Sequence, residues 1–203
     1  FQLYMKIYDC FMFFDEEMLL DLRLNVMDKY VDKFVITESS YMHSGKAKKL
    51  IFDINKYSKF KDKIVYIPIH ENPKNLLEIN KNDSLHLKQS KMIRNAKARE
   101  MYQINRTQNE INKAEPNDMI IISDLDEIPN LEEINFNSIN NKLIFFIQKM
   151  FYYKFNLFHK SLPWFGSKAC KRKYFKSPEW LRSIKNKKYS KWRFDIFFSD
   201  IKY

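Results

Sequence analysis

Glycine is almost missing: the 203 residues contain only Gly45 and Gly166. A Gly-rich phosphate loop of the dinucleotide or Walker type needs several glycines at fixed spacing, so both types are excluded. An enzyme of this composition that handles phosphates must use side chains and metal instead. With glycine so scarce, each one is expected where the backbone needs positive φ or where a ligand approaches closely. Both fall in loop sequence, Ser44-Gly45-Lys46 and Trp164-Phe165-Gly166-Ser167. Cysteine is equally scarce. Cys10 and Cys170 make neither a disulfide framework nor a zinc site and read as buried thiols. No stretch approaches the ~18 uncharged apolar residues of a membrane span. The most apolar run, 143–153, is broken by Gln148 and Lys149. No secretory signal peptide is visible, and because the first residue is Phe1 rather than Met, the true start is expected upstream.

What is present suffices for one sizeable core: 45% of residues are hydrophobic and 16% aromatic. A single domain over 1–203 is therefore expected. The formal charge of +11, from 36 basic and 25 acidic residues, suits nucleic acid, an anionic membrane surface or an acidic small substrate. A Lys-, Asn- and Ile-rich composition bias explains it equally well. The lysines are scattered, and the denser block at 168–191 is too diffuse to carry a function.

The most informative stretch is 119–129. Pro116-Asn117-Asp118 punctuates the chain before it. Met119-Ile120-Ile121-Ile122 then has the composition of a strand buried on both faces. Three acids follow within four positions, Asp124, Asp126 and Glu127, and Pro129 closes the segment. Ligands of open α/β sheets sit beyond the carboxyl ends of strands, which is where these acids fall. Crowded carboxylates repel one another unless a cation or a set of donors lies between them. Hard oxygen ligands suit Mg²⁺ or Mn²⁺. On an extended backbone the Asp-x-Asp spacing puts both side chains on one side, within reach of one metal-diphosphate. A solvated acidic turn is the competing explanation.

Residues 6–14 are β-prone. Asp15 is a plausible N-cap with Glu16 and Glu17 in the first turn, and Leu19, Leu22, Val26 and Tyr30 recur at helical spacing. Arg23 borders that stripe. It is either a surface arginine with a buried stem or a guanidinium lying under a substrate phosphate or carboxylate. A second strand, 33–37, runs into Glu38-Ser39-Ser40, so the chain opens as a βαβ unit with a parallel sheet. The following loop carries Tyr41, His43, Gly45 and Lys46. A third strand is expected at 64–69 and helix over most of 75–113, with Ile93, Glu100, Ile104 and Ile111 on one face. Glu100 in an apolar stripe needs a partner, from the neighbouring polar residues or at an adjacent site. A long strand is expected over 143–155, then an aromatic patch with Asn156, Trp164 and Gly166, suited to sugar faces or to core packing. Ser177-Pro178-Glu179-Trp180 starts a helix. A last amphipathic stretch opens at 191–195, and the chain stops at Tyr203 on the entry to another strand.

These residues resemble glycosyltransferase family 17. The similarity lies in Tyr8-Asp9-Cys10-Phe11, Leu22-Arg23-Leu24-Asn25, Phe34-Val35-Ile36-Thr37-Glu38-Ser39, His43-Ser44-Gly45-Lys46 and Arg99-Glu100. Its most specific element is Ser123-Asp124-Leu125-Asp126-Glu127-Ile128-Pro129. The family includes β-1,4-mannosyl-glycoprotein 4-β-N-acetylglucosaminyltransferases with bacterial and viral relatives. The resemblance implies a GT-A-type, Rossmann-like, mostly parallel sheet flanked by helices, with UDP-N-acetylglucosamine as donor, Mn²⁺ or Mg²⁺, and inversion at the anomeric carbon. Family members continue into a Gly-Trp-His-Phe-Ser segment that this chain stops short of, so C-terminal truncation is expected.

On that basis Asp126 is expected to ligate the metal, with Asp124 at the ribose or an outer-shell water and Glu127 in support. Glu38, Gly45, Lys46, Arg99 and Glu100 would help form the nucleotide pocket. Glu179 and then Asp195 are the candidates for the general base that deprotonates the acceptor. The acceptor would be a mannose of an N-glycan or a related surface polysaccharide. The partners implied are sugar nucleotide and glycan, without nucleic acid, with peripheral membrane association and oligomeric state left open. A bacterial or viral protein would be cytoplasmic or membrane-associated, a eukaryotic one a Golgi membrane protein. Two rivals are weighed. An Asp-x-Asp phosphatase needs Thr or Val where Ile128 stands. A basic nucleic-acid-binding module leaves acids at the end of a buried strand unexplained.

Overall fold

The structure, a computed structural model, describes residues 4–151, 156–187 and 201–202. In chain order these form β1 (Ile7–Phe13), α1 (Glu17–Met27), β2 (Lys33–Ser39), β3 (Ile64–Ile69), α2 (Leu85–Asn105) and α3 (Gln108–Ile111). β4 (Met119–Ile122), β5 (Leu143–Phe145), β6 (Lys168–Lys171), α4 (Pro178–Ser183) and β7 (Ile201–Lys202) follow. The strands make one seven-stranded sheet in the order β3-β2-β1-β4-β6-β5-β7. β3, β2, β1 and β4 are mutually parallel. β6 runs antiparallel to both β4 and β5, and β7 runs parallel to β5, so β6 alone is reversed.

The alternation of side chains along each strand explains the apolar runs. Met119 and Ile121 of β4 pack with Leu20, Leu24 and Met27 of α1 on one face. Ile120 and Ile122 pack with Met101 and Ile104 of α2, Ile111 of α3 and Leu181 of α4 on the other. β1 divides the same way, with Phe11 and Phe13 toward α1 and Tyr8 and Cys10 toward α2. A strand covered by helices on both faces has no polar side, and each buried isoleucine contributes about 1.5–3 kcal/mol. Both cysteines are buried free thiols.

Several boundaries differ from the sequence expectation. Helix α1 begins at Glu17, and Asp15 does not cap it. Glu16 occupies the cap position, and its carboxylate turns back to accept from the backbone N–H groups of Phe14 and Asp15. Its buried stripe is Leu20, Arg23, Leu24 and Met27, whereas Leu22 and Val26 are exposed. The stripe lies one position over from Leu19, Leu22 and Val26 because Arg23 is drawn into the buried face by its polar partners.

The region 75–113 is not one helix. Ser84 caps α2 by accepting from the Leu87 N–H, and the helix breaks after Asn105, where the Thr107 hydroxyl donates to the Ile104 carbonyl. Ile93 is 69% exposed, while Ile104 and Ile111 are fully buried. Among the described residues of 143–155, regular strand stops at Phe145, opposite Lys168 where β6 begins. Single bridges, Gln148 to Trp164 and Phe151 to Phe158, continue the pairing. At α4 the expectation holds: Ser177 accepts from the Trp180 N–H with Pro178 in the first turn. Among the described residues no helix is long and apolar enough to cross a membrane.

Candidate functional site

The acids after β4 are held by an arginine. Arg23 is fully buried and grips Asp9 of β1 with Nε and Nη2, at 2.8 and 2.6 Å. Its Nη1 donates to the backbone carbonyls of Asp124 (2.9 Å), Leu125 (3.1 Å) and Glu127 (3.1 Å), and Nη2 also reaches the Ser123 hydroxyl. A carboxylate and three converging carbonyls make this burial tolerable, because a buried cation is costly unless it is paired and its donors are filled. Arg23 is therefore neither a surface arginine nor a substrate ligand. It shapes the acid segment from beneath. That segment is a turn rather than the extended backbone expected, with the Glu127 N–H bonded to the Asp124 carbonyl at 3.1 Å.

The turn sends its three carboxylates to different places. Asp126 is exposed at the surface, and partial desolvation of its carboxyl, then the neighbouring Asp124 charge, raise its pKa from the ordinary aspartate value. Glu127 is buried. Its Oε2 accepts from the Asp124 N–H at 2.8 Å and its Oε1 from the Trp164 indole N–H at 2.7 Å. Burial, then the Asp124 charge, push its pKa up despite those donors. Gly166 lies against this carboxylate, and a Cβ there would overlap Glu127 and the Trp164 nitrogen. The close approach that requires this glycine is thus made by a protein side chain. Asp124 is paired with Arg182 of α4, Nη1 to Oδ1 at 2.7 Å and Nη2 to Oδ2 at 3.0 Å. Among the described residues no three His, Cys, Asp or Glu side chains converge as a metal cage.

Asp124 and Asp126 line a cleft of about 790 Å³ beyond the carboxyl ends of β1, β2 and β4, together with Phe14, Tyr41, Lys48, Glu100 and Arg182. Glu100 is bound by Arg182 at 2.7 Å and by Lys97 at 3.3 Å. Burial alone would raise its pKa, but Arg182 and Lys97 bring it below the ordinary value. The expected nucleotide-site residues divide into two groups. Glu100 and Asp124 face the cleft. Glu38 is buried and accepts from Lys48 Nζ, the Ile51 and Phe52 N–H groups and the Tyr66 hydroxyl, so it anchors the loop after β2. Arg99 donates to Asn72 and to the His43 carbonyl, its guanidinium packed on Gly45, which has φ +91°. Lys46 is exposed on the same loop.

Of the two expected bases, Glu179 is exposed at the start of α4, where its carboxylate and backbone N–H bond the Asn105 side chain. Asp195 lies outside the described residues. A second hollow of about 840 Å³ adjoins the turn on its other side, lined by Asp124, Asp126 and Glu127 with Leu22, Phe151 and Trp164.

Sequence alone did not single out Arg182, Lys168 or the Asp9 partner of Arg23. Lys168 is buried, with Nζ bonded to the Arg182 carbonyl at 2.7 Å, and burial lowers its pKa to about 8. No local pattern marks these residues, because their partners lie 14 to 82 positions away. Two carboxylates and a guanidinium at the mouth of a parallel sheet can bind a cation and an anion side by side. The sequence matches the family model described as Glycosyltransferase family 17 over residues 2–184. No curated protein matches the chain.

Proposed function

Because the chain belongs to glycosyltransferase family 17, and is on that ground a glycosyltransferase using a sugar donor and a glycan acceptor, we propose that it transfers N-acetylglucosamine from UDP-N-acetylglucosamine with inversion, on a GT-A-type fold. The observation that carries this reading is the pair Asp124 and Asp126, set by a fully buried strand at the mouth of the 790 Å³ cleft. The raised pKa of Asp126 supports a cation there, since a nearby positive charge relieves the cost of its ionisation. A divalent ion is commonly held by one or two carboxylates plus substrate phosphates, so a third protein ligand is not required.

In this reading Asp126 and Asp124 would hold Mn²⁺ or Mg²⁺, which when bound neutralises the charge developing on the departing diphosphate. Glu127 holds the turn in shape through the Asp124 N–H and Trp164. The loop pinned by Glu38 and by Arg99 on Gly45 forms the nucleotide-side wall, with Tyr41 and Ser44 facing the cleft. The second hollow, with Trp164 and Phe151 at its rim, supplies the aromatic surface on which an acceptor sugar can stack. The two hollows share both aspartates, which would set the acceptor hydroxyl beside the donor's anomeric carbon.

Calorimetric titration of UDP-N-acetylglucosamine with and without Mn²⁺, on the wild type and on Asp126→Ala, tests this. The wild type should bind more tightly with Mn²⁺, and the variant should lose that increment while melting as the wild type does. Metal-dependent turnover unchanged in Asp126→Ala would refute the assignment.

A further inference from the structure

We propose that Arg182 is the diphosphate-binding residue of this cleft, held by Asp124 and Glu100 until a nucleoside diphosphate takes their place. The proposal rests on the donor-site reading above. With no glycine-rich loop to present backbone N–H groups, a diphosphate here needs a side-chain cation. Among the described residues, lysine and arginine line the cleft at two positions, Lys48 and Arg182. Lys48 is committed: its ammonium donates to Glu38 Oε1 and to the carbonyls of Phe14 and Lys49, which uses all three protons. Arg182 is held differently. Among the described residues, its guanidinium bonds to two carboxylates that have other uses or other partners.

Asp124 is one of the two acids a cation would claim. Glu100 keeps Lys97 at 3.3 Å when the guanidinium leaves, so no buried carboxylate is stranded by the exchange. The backbone of Arg182 stays fixed meanwhile, because Lys168 Nζ holds its carbonyl at 2.7 Å. The side chain can thus turn on an anchored pivot. A planar guanidinium also matches two phosphate oxygens at once, which an ammonium cannot. A purely structural clasp between α2, α4 and the acid turn would use the same ion pairs. It differs in one respect: it does not distinguish ligands with and without phosphates.

Calorimetry with UDP and with uridine, in Mn²⁺ and again in chelator, separates the two. Arg182→Ala should weaken UDP by roughly tenfold or more in both conditions and leave uridine unchanged. Arg182→Lys should fall between, since it keeps the charge without the fork. Glu100→Gln, which loosens the clasp but leaves the guanidinium, should bind UDP at least as tightly as the wild type. Equal UDP affinity in Arg182→Ala and wild type overturns the proposal. So does a parallel loss of UDP and uridine, or a drop in UDP affinity in Glu100→Gln. A wild type that binds neither ligand overturns the donor-site reading itself, a separate result.

Discussion

Arg23 carries more of the site than any residue that faces it. It joins β1, through Asp9, to three carbonyls of the acid turn, so the direction of Asp124 and Asp126 depends on a side chain no ligand touches. Arg23→Met leaves Asp9 buried and unpaired and should cost about 3–5 kcal/mol in urea unfolding. Asp9→Leu added to Arg23→Met removes the stranded charge and should recover much of that loss, while UDP binding, which needs the turn's shape, stays weak. Recovery of binding with the apolar pair would show that the turn holds its form unaided. Gly166 makes a similar point. Gly166→Ala pushes Glu127 off the Trp164 and Asp124 N–H groups. The half-buried Asp124 N–H left without its partner costs about 1–3 kcal/mol, the exposed Trp164 indole turns to water, and the loss should appear in urea unfolding with an altered tryptophan emission.

At the level of elements, β4 with acids at its end, the β1-α1-β2 opening and the cap of α4 all follow from local sequence, whereas the turn those acids adopt does not. An all-apolar run means helices on both faces, and Ser177-Pro178 means a helix start. The face of α1 was not legible, because Arg23 belongs to the buried side only by virtue of Asp9 and the distant carbonyls. The loop after β2 is another element secured from a distance. Glu38 takes Lys48, two backbone N–H groups and the Tyr66 hydroxyl, whose pKa rises through burial first and Glu38 second. Glu38→Ala should leave the loop over 40–52 open to limited proteolysis and lower stability by roughly 3–5 kcal/mol. UDP affinity should fall with it, and a protease-resistant loop in that variant would show that Glu38 is not what secures it.

For the whole molecule, the buried ammonium of Lys168 links stability to pH. Its folded pKa of about 8 lies below the ordinary lysine value of 10.5. Below pH 8 both folded and unfolded chains carry the proton, and the fold bears the full cost of burying the charge. Between pH 8 and 10.5 the folded chain releases a proton that the unfolded chain keeps, so this group's contribution rises with pH. The stability of the wild type minus that of Lys168→Met should therefore be flat below pH 8. It should move in the wild type's favour by roughly 1–3 kcal/mol by pH 10. A difference that stays flat throughout would mean that Lys168 is not desolvated.

Local chemistry by itself determined the α/β class, the exclusion of a phosphate loop, the buried central strand and the acids at its end. Each depends only on neighbours in the chain: side-chain alternation, turn residues, the scarcity of glycine. Tertiary structure alone decided what those acids do. Asp124 pairs with an arginine 58 positions away, Glu127 with a tryptophan 37 away, and the turn beneath them rests on an arginine 100 positions earlier. A charge buried by a fold is stable only where the fold also supplies its counter-charge, and that supply is set by which strands and helices meet.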